Sequence, residues 1–346
     1  MITPREFLLA ALAPGNPPFP FEKFMEAALV HPDFGYYTTK IHGIGKEGDF
    51  STSATMSKLL GQAIARWACH KQQGYPSGQK WNLIEVGAGN GELAQTIFKA
   101  IPWWQRRRLH YHIVEASPIL METQKGKIGK SCQWHASMPQ ALTACNGQAL
   151  IFSNELVDAF PCRVFEWDER QWKEVALELE EETLREILVQ TTSLPESTAF
   201  KILDPKLGQR IEIHESYQVW LHSWKQNWKK GSMLTIDYGE ITGKLYLRRP
   251  KGTLRAYRQH LLIEGPPIYH NMGKQDLTAD VNFSDLQNWA SEIGLQNTRL
   301  ETQREFIQRT LPDAVILENT SPSARFVLHP EGAGSAFKVL EQKKDG

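Results

Sequence analysis

Short apolar runs alternate with stretches of helical spacing through the middle of the chain. Five runs predict strands: WNLIEVG (81–87), HYHIVEA (110–116), CQWHA (132–136), QALIFSNEL (148–156) and GSMLTIDY (231–238). Residues 92–100 and 118–127 carry apolar positions at helical spacing between them. Strands that are apolar on both faces, separated by helices, predict an α/β fold with a parallel sheet covered on both sides.

The flanking segments extend this pattern. Residues 7–13, ended by Pro14-Gly15, read as an amphipathic helix, and 21–31 as a second one ended by Pro32. Residues 59–71 predict a helix closed by the 74–78 loop, 217–230 a Trp-rich helix and 284–293 another. Between the fourth and fifth strands, 162–215 alternates like antiparallel hairpins, with Glu180-Glu181-Glu182 as a solvated turn. A second insertion spans 242–283, and the tail 323–342 predicts two antiparallel strands. The stretch 32–57 is rich in Gly, Ser and Thr yet holds Phe34, Tyr36, Tyr37 and Phe50. A segment of that length and composition predicts a functional loop. The segments are 1–78, 79–161, 162–215, 216–241, 242–283 and 284–346.

Composition narrows the partners. With 346 residues, 41% of them hydrophobic, the chain can bury one large core or a core with a smaller lobe. Lys+Arg and Asp+Glu both number 39, so no basic excess points to nucleic acid, and Arg106-Arg107-Arg108 reads as a solvated face. The four cysteines make no C-x-x-C pair and no H-E-x-x-H occurs, which argues against a metal site and for a reducing compartment. Residues 7–13 are too short to span a bilayer, and Glu6 abuts them. These features predict a cytoplasmic chain without membrane insertion.

The first strand runs into Gly87, Gly89 and Gly91. A dinucleotide turn needs a third glycine where Glu92 stands, and no G-x-x-x-x-G-K-[ST] occurs for a mononucleotide. The E-x-G-x-G-x-G spacing instead suits S-adenosylmethionine. The glycines let the backbone approach its amino-acid tail, and Glu85 can meet the ammonium. Glu115, ending the second strand, offers two acceptor oxygens for ribose hydroxyls. Ser153 joins this donor set at the end of the fourth strand. Ligands of open parallel sheets bind beyond the carboxyl ends of the strands, which places Asn154, Glu155 and Asp158 near the methyl acceptor. A helical turn beginning at Glu155 would put the Glu155 and Asp158 carboxylates on one face, suited to a guanidinium. Otherwise Glu155 is a helix cap and Asp158 lies on the surface.

Nine blocks in order carry a wider resemblance: HPDFGYY (31–37), GDFSTS (48–53), IEVGAGNGEL (84–93), HIVEAS (112–117), NELVDAFP (154–161), IDYG (236–239), GTLRAYRQH (252–260), DLTADVNF (276–283) and HPEGAGSAFKVL (329–340). On these the chain resembles the MidA family of class I methyltransferases, which includes a mitochondrial complex I assembly factor that is a protein arginine methyltransferase. The resemblance implies a Rossmann-like core: a mostly parallel seven-stranded sheet, an antiparallel C-terminal strand, an N-terminal helical segment and inserted lobes. It implies S-adenosylmethionine as methyl donor and a protein arginine as acceptor. Gly87, Gly89, Gly91 and Glu115 carry over as donor ligands, with Asp49, Ser51 and Thr52 as polar contacts in the N-terminal cover. Thr55 stands where the pattern has an acid, and Asp280 and Asn282 where His and Asp are common. Two other readings stay open: an assembly factor that binds the donor without transferring its methyl, and a nicotinamide oxidoreductase, which Glu92 opposes.

Overall fold

The computed structural model describes residues 1–40, 58–74, 78–181, 183–191, 193–202, 204–314, 316 and 321–346. These fall into two compact units. One is made of the described parts of Gly43–Leu156, Leu221–Tyr238 and Gln287–Gly346, the other of Met1–His42, Val157–Trp220 and Gly239–Leu286.

The first unit is built on a mixed, mostly parallel sheet. Its strands are β1 (Trp81–Val86), β2 (Leu109–Val114), β3 (Cys132–His135), β4 (Leu150–Asn154), β5 (Gly231–Glu240), β6 (Gln296–Thr302) and β7 (Phe337–Lys344). They lie in the order β3-β2-β1-β4-β5-β7-β6, and Gly239–Glu240 at the end of β5 pairs in parallel with Val281–Asn282, an eighth strand beyond the seven expected. Strands β1 to β5 pair in parallel, while β7 runs antiparallel to both β5 and β6. The apolar runs are buried because helices cover them: Leu83, Phe152, Ile236 and Val339 belong to one core with Trp67 and Trp81. Helix α1 (Leu59–Lys71) turns Leu60, Ile64 and Trp67 inward at helical spacing and packs on α2 (Glu92–Ala100). Helix α3 (Pro118–Ile128) follows β2, started by Ser117, whose hydroxyl accepts from the Leu120 amide.

Two expectations change here. Of the tail expected to form two strands, only Phe337–Lys344 is extended. Pro322–Leu328 is a helix, because Ser321 caps it, Pro322 opens it, and Ala324, Val327 and Leu328 fall on one buried face. The antiparallel neighbours of β7 are β5 and β6, both of which precede that helix in the chain. The Trp-rich helix expected over 217–230 spans Glu215–Trp224 and stops where the chain turns. Among the described residues, no helix is long and apolar enough to cross a membrane.

The second unit carries an antiparallel sheet. Phe19–Pro20, Trp172–Glu180, Arg163–Trp167 and Arg210–Ile213 lie side by side, with Thr183–Val189 paired along Trp172–Glu180. Arg163 holds Glu174 through two bonds of 2.8 and 2.7 Å, a bidentate fork that ties neighbouring strands. A smaller sheet joins Arg255–Arg258 to Leu261–Ile263 and Asp276–Thr278. Its hairpin turns at Gln259 and His260, with φ of +50° and +63°, the left-handed pair that suits a tight two-residue turn.

Candidate active site

The turn after β1 is shaped by its glycines. Gly87, Gly89 and Gly91 have φ of +70°, +52° and +80°, conformations that cost other residues steric strain. Gly91 serves as the N-cap of α2, so the helix starts at once. It also lies against α3: a Cβ there would sit 3.3 Å from Ile128 Cδ1 and 3.4 Å from Gln124 Cα. The turn is thus a close approach of backbone to a neighbouring helix as well as a reversal of direction.

Two acids flank this turn. Glu85 is only 2% exposed, and the Tyr111 hydroxyl donates to its carboxylate at 2.6 Å. Burial pushes Glu85 up to about 7, against the pull of that hydrogen bond. Glu115 follows β2 and is also buried. Its Oε1 accepts the Ser117 amide at 2.9 Å, and its Oε2 accepts the Gln124 side-chain amide at 2.9 Å. Burial raises its pKa while those bonds oppose the shift. The two carboxylate oxygens carry four lone pairs between them, so these bonds leave acceptor capacity at Glu115.

Gln124 is a member of this site that motif reading missed. It is fully buried, its amide also donates to Gly89 O at 2.8 Å, and its carbonyl accepts the Trp134 indole N–H at 3.0 Å. A signal was present: Leu120, Gln124 and Ile128 are spaced by four, which sets a glutamine in the middle of an apolar helix stripe.

Strand β4 leaves the sheet beside β1, with Ser153 opposite Val86. Ser153 is buried, and the Glu155 amide extends the ladder to Ile236 O at 2.9 Å. Asn154 Nδ2 donates to Glu155 Oε1 at 3.1 Å. Asn154 Oδ1 is buried and meets no hydrogen-bond donor among the described residues. The Leu156 amide donates to the buried Asp237 carboxylate at 3.2 Å, fixing the chain as it leaves the strand.

The expected helical turn from Glu155 is absent. Glu155 has φ of +51°, a left-handed conformation that redirects the chain, and the next short helical turn covers only Val157–Ala159. The backbone therefore does not stack the Glu155 and Asp158 carboxylates on one helical face. Asp158, in the second unit, is not a surface residue either. It is 4% exposed, its Oδ2 accepts from the Thr278 hydroxyl at 2.8 Å, and its carbonyl accepts the Ala279 amide at 3.3 Å.

That unit holds further polar groups, of which Asp276 lies near Asp158. Asp276 accepts from the Tyr37 hydroxyl at 2.8 Å. Burial, then the nearby Asp158 charge, raises Asp276 to about 7. Arg255, from the GTLRAYRQH block, pairs with Asp280 at 2.6 Å. Asn282 bridges three segments: its amide donates to Thr198 Oγ1 at 3.2 Å, and its carbonyl accepts from Thr242 Oγ1 at 3.0 Å and the Ser284 amide at 3.1 Å. The two departures noted in the sequence, Asp280 and Asn282, thus have partners inside their own unit. Asp49, Ser51, Thr52 and Thr55 lie outside the described residues.

Comparison with known proteins completes the picture. A family model described as "Putative S-adenosyl-L-methionine-dependent methyltransferase" matches residues 63–300. The mitochondrial protein arginine methyltransferase NDUFAF7 homolog of Drosophila melanogaster is 26% identical over 309 residues, 80% of this chain and 68% of the relative. Mitochondrial NDUFAF7 of Danio rerio is 24% identical over 362 residues, 93% of this chain and 83% of the relative. A crystal structure from Burkholderia thailandensis, bound to S-adenosyl-homocysteine, matches with a TM-score of 0.87 at 23% identity, covering 99% of this chain and 92% of that one. At that identity the likeness shows the fold. The mitochondrial relatives correct the cytoplasmic placement expected from the sequence. The physical reason is plain: four free, buried thiols fit a reducing environment without naming the compartment that supplies it. The chain belongs to this family of S-adenosylmethionine-dependent methyltransferases, with S-adenosylmethionine as its cofactor.

Proposed function

We propose that the protein methylates an arginine side chain of another protein. The observation that carries this reading is the acceptor-rich end of β4. Asn154 Oδ1 is buried and meets no donor among the described residues, and the Glu155 carboxylate stands beside it, held by the Asn154 amide. A guanidinium offers donors only, in a planar fork, and brings the charge that Glu155 complements. The relatives' designation as protein arginine methyltransferases supports the same substrate class.

Bound S-adenosylmethionine supplies an electrophilic methyl group on a sulfonium. The chain's own residues supply position. Asn154 and Glu155 hold the guanidinium so that one terminal nitrogen faces the donor, and alignment provides most of the rate. As that nitrogen gains a methyl it releases a proton, which the Glu155 carboxylate accepts late in the reaction.

Quantitative mass spectrometry of methylarginine peptides, in cells with and without the protein, tests the proposal. A protein arginine that loses its methyl in the deleted cells, and regains it on incubation with purified protein and labelled donor, is the expected result. Donor binding by the purified protein with no methylarginine change would instead favour the non-transferring assembly factor. Transfer to a different side chain would overturn the substrate assignment.

A further inference from the structure

We propose that Gln124 is the positioning residue of the donor site, locking the glycine turn and the ribose acid into one rigid piece. The inference rests on the reading of Glu115 as the ribose ligand. A buried glutamine in a helix that covers a sheet is costly unless its amide is fully engaged. Here it is engaged on both ends. Nε2 bridges Gly89 O, the middle of the glycine turn, and Glu115 Oε2, beyond the neighbouring strand. Oε1 takes the Trp134 indole N–H from β3. The indole can only donate and the Gly89 carbonyl can only accept, so the amide has one workable orientation.

The consequences are specific. Glu115 needs a fixed rotamer to offer one acceptor on each oxygen to a vicinal diol. The Ser117 amide fixes one oxygen and Gln124 fixes the other. Gly89 holds its left-handed conformation while its carbonyl points at the same amide, so the turn and the acid cannot shift independently. Trp134 acts one step further out by preventing the amide from flipping. Gln124 thereby acts through Glu115 and the turn, with no contact to the donor required.

Calorimetry tests this with S-adenosylhomocysteine and its 2′-deoxy and 3′-deoxy analogues, on the wild type, Gln124→Met and Trp134→Phe. Methionine keeps the length of glutamine and removes its hydrogen bonds. The expected result is an affinity for S-adenosylhomocysteine about 10- to 100-fold lower in Gln124→Met, since bonds to a buried charged group are lost. The decisive readout is the ratio between the intact and deoxy ligands. The wild type should prefer the intact diol by about tenfold or more, and Gln124→Met should reduce that preference to within about threefold. Trp134→Phe should give an intermediate ratio. A merely structural role would weaken all three ligands equally and leave the ratio intact, which overturns the proposal, as would unchanged affinities. If Gln124→Met fails to fold by circular dichroism, Trp134→Phe decides, and an undiminished preference there also overturns it. A wild type indifferent to the diol would sink the reading of Glu115 itself, an outcome visible before any variant is made.

Discussion

Replacing Glu85 with glutamine should stabilise the protein at pH 8 and change it little near pH 4.5. Glu85 sits in β1, 2% exposed, with the Tyr111 hydroxyl donating to it. Its pKa is raised from 4.5 to about 7. Below 4.5 the acid is protonated in both folded and unfolded chains and costs nothing differential. Between 4.5 and 7 the unfolded chain releases a proton that the folded chain keeps, so stability falls as pH rises, and the loss is complete above 7. A gap of roughly 2.5 pH units, at about 1.4 kcal/mol each, gives on the order of 3 kcal/mol. Glutamine keeps an acceptor for Tyr111 and cannot ionise. Urea denaturation followed by tryptophan fluorescence at pH 5, 6, 7 and 8 measures the difference directly, provided the slope with denaturant is unchanged. Asp276 titrates in the same range but is present in both proteins, so it cancels. The two stability profiles should diverge by roughly 3 kcal/mol across this range. Parallel profiles, or a variant less stable at pH 8, would refute the burial argument. A calorimetric titration with S-adenosylhomocysteine probes the same carboxylate from the ligand side: if Glu85 also holds the ammonium of the donor, affinity should drop despite the gain in stability.

Three further outcomes follow from the same geometry. Gly91→Ala forces an L side chain into φ of +80° against Ile128 and Gln124, so it should cost about 1–3 kcal/mol and weaken donor binding; an unchanged melting temperature would contradict the close approach to α3. Glu155→Gln should lower methyl transfer by about 10²- to 10³-fold with S-adenosylhomocysteine affinity within about threefold of wild type, measured by labelled-methyl assay and calorimetry; equal loss of both would move Glu155 into the donor pocket. Asp158→Asn removes a like charge beside Asp276, so Asp276 should titrate lower. Asp276 makes the wild type lose stability as pH rises toward 7, and the variant should lose less between pH 5 and 8; an unaltered profile would show that the two carboxylates do not interact.

Much of the fold was legible because it depends on local sequence. The bounds of Leu59–Lys71 and Glu92–Ala100 match the spacing of apolar residues and the breakers around them. The hairpins of the insertion follow from period-two alternation. The glycine turn was legible for a related reason: left-handed backbone at alternate positions leaves few residue choices besides glycine. Pro322–Leu328 was not legible, because a short apolar run fits strand and helix alike until a cap and a buried face decide. The identities of the acids were visible, but their states were not. Nothing in the sequence near Glu85 names Tyr111, and nothing near Asp158 names Thr278 or Asp276; those partners lie 26, 120 and 118 residues away. Nor does it show that Glu155 turns left-handed where a helix was expected, or that a glutamine on a helix stripe ties a turn to a carboxylate. Local sequence determined which segments are strands, helices and glycine turn. Tertiary structure decided which polar groups are buried together, because desolvation and hydrogen bonding depend on neighbours in space, and these set the charge, orientation and reach of every candidate site residue.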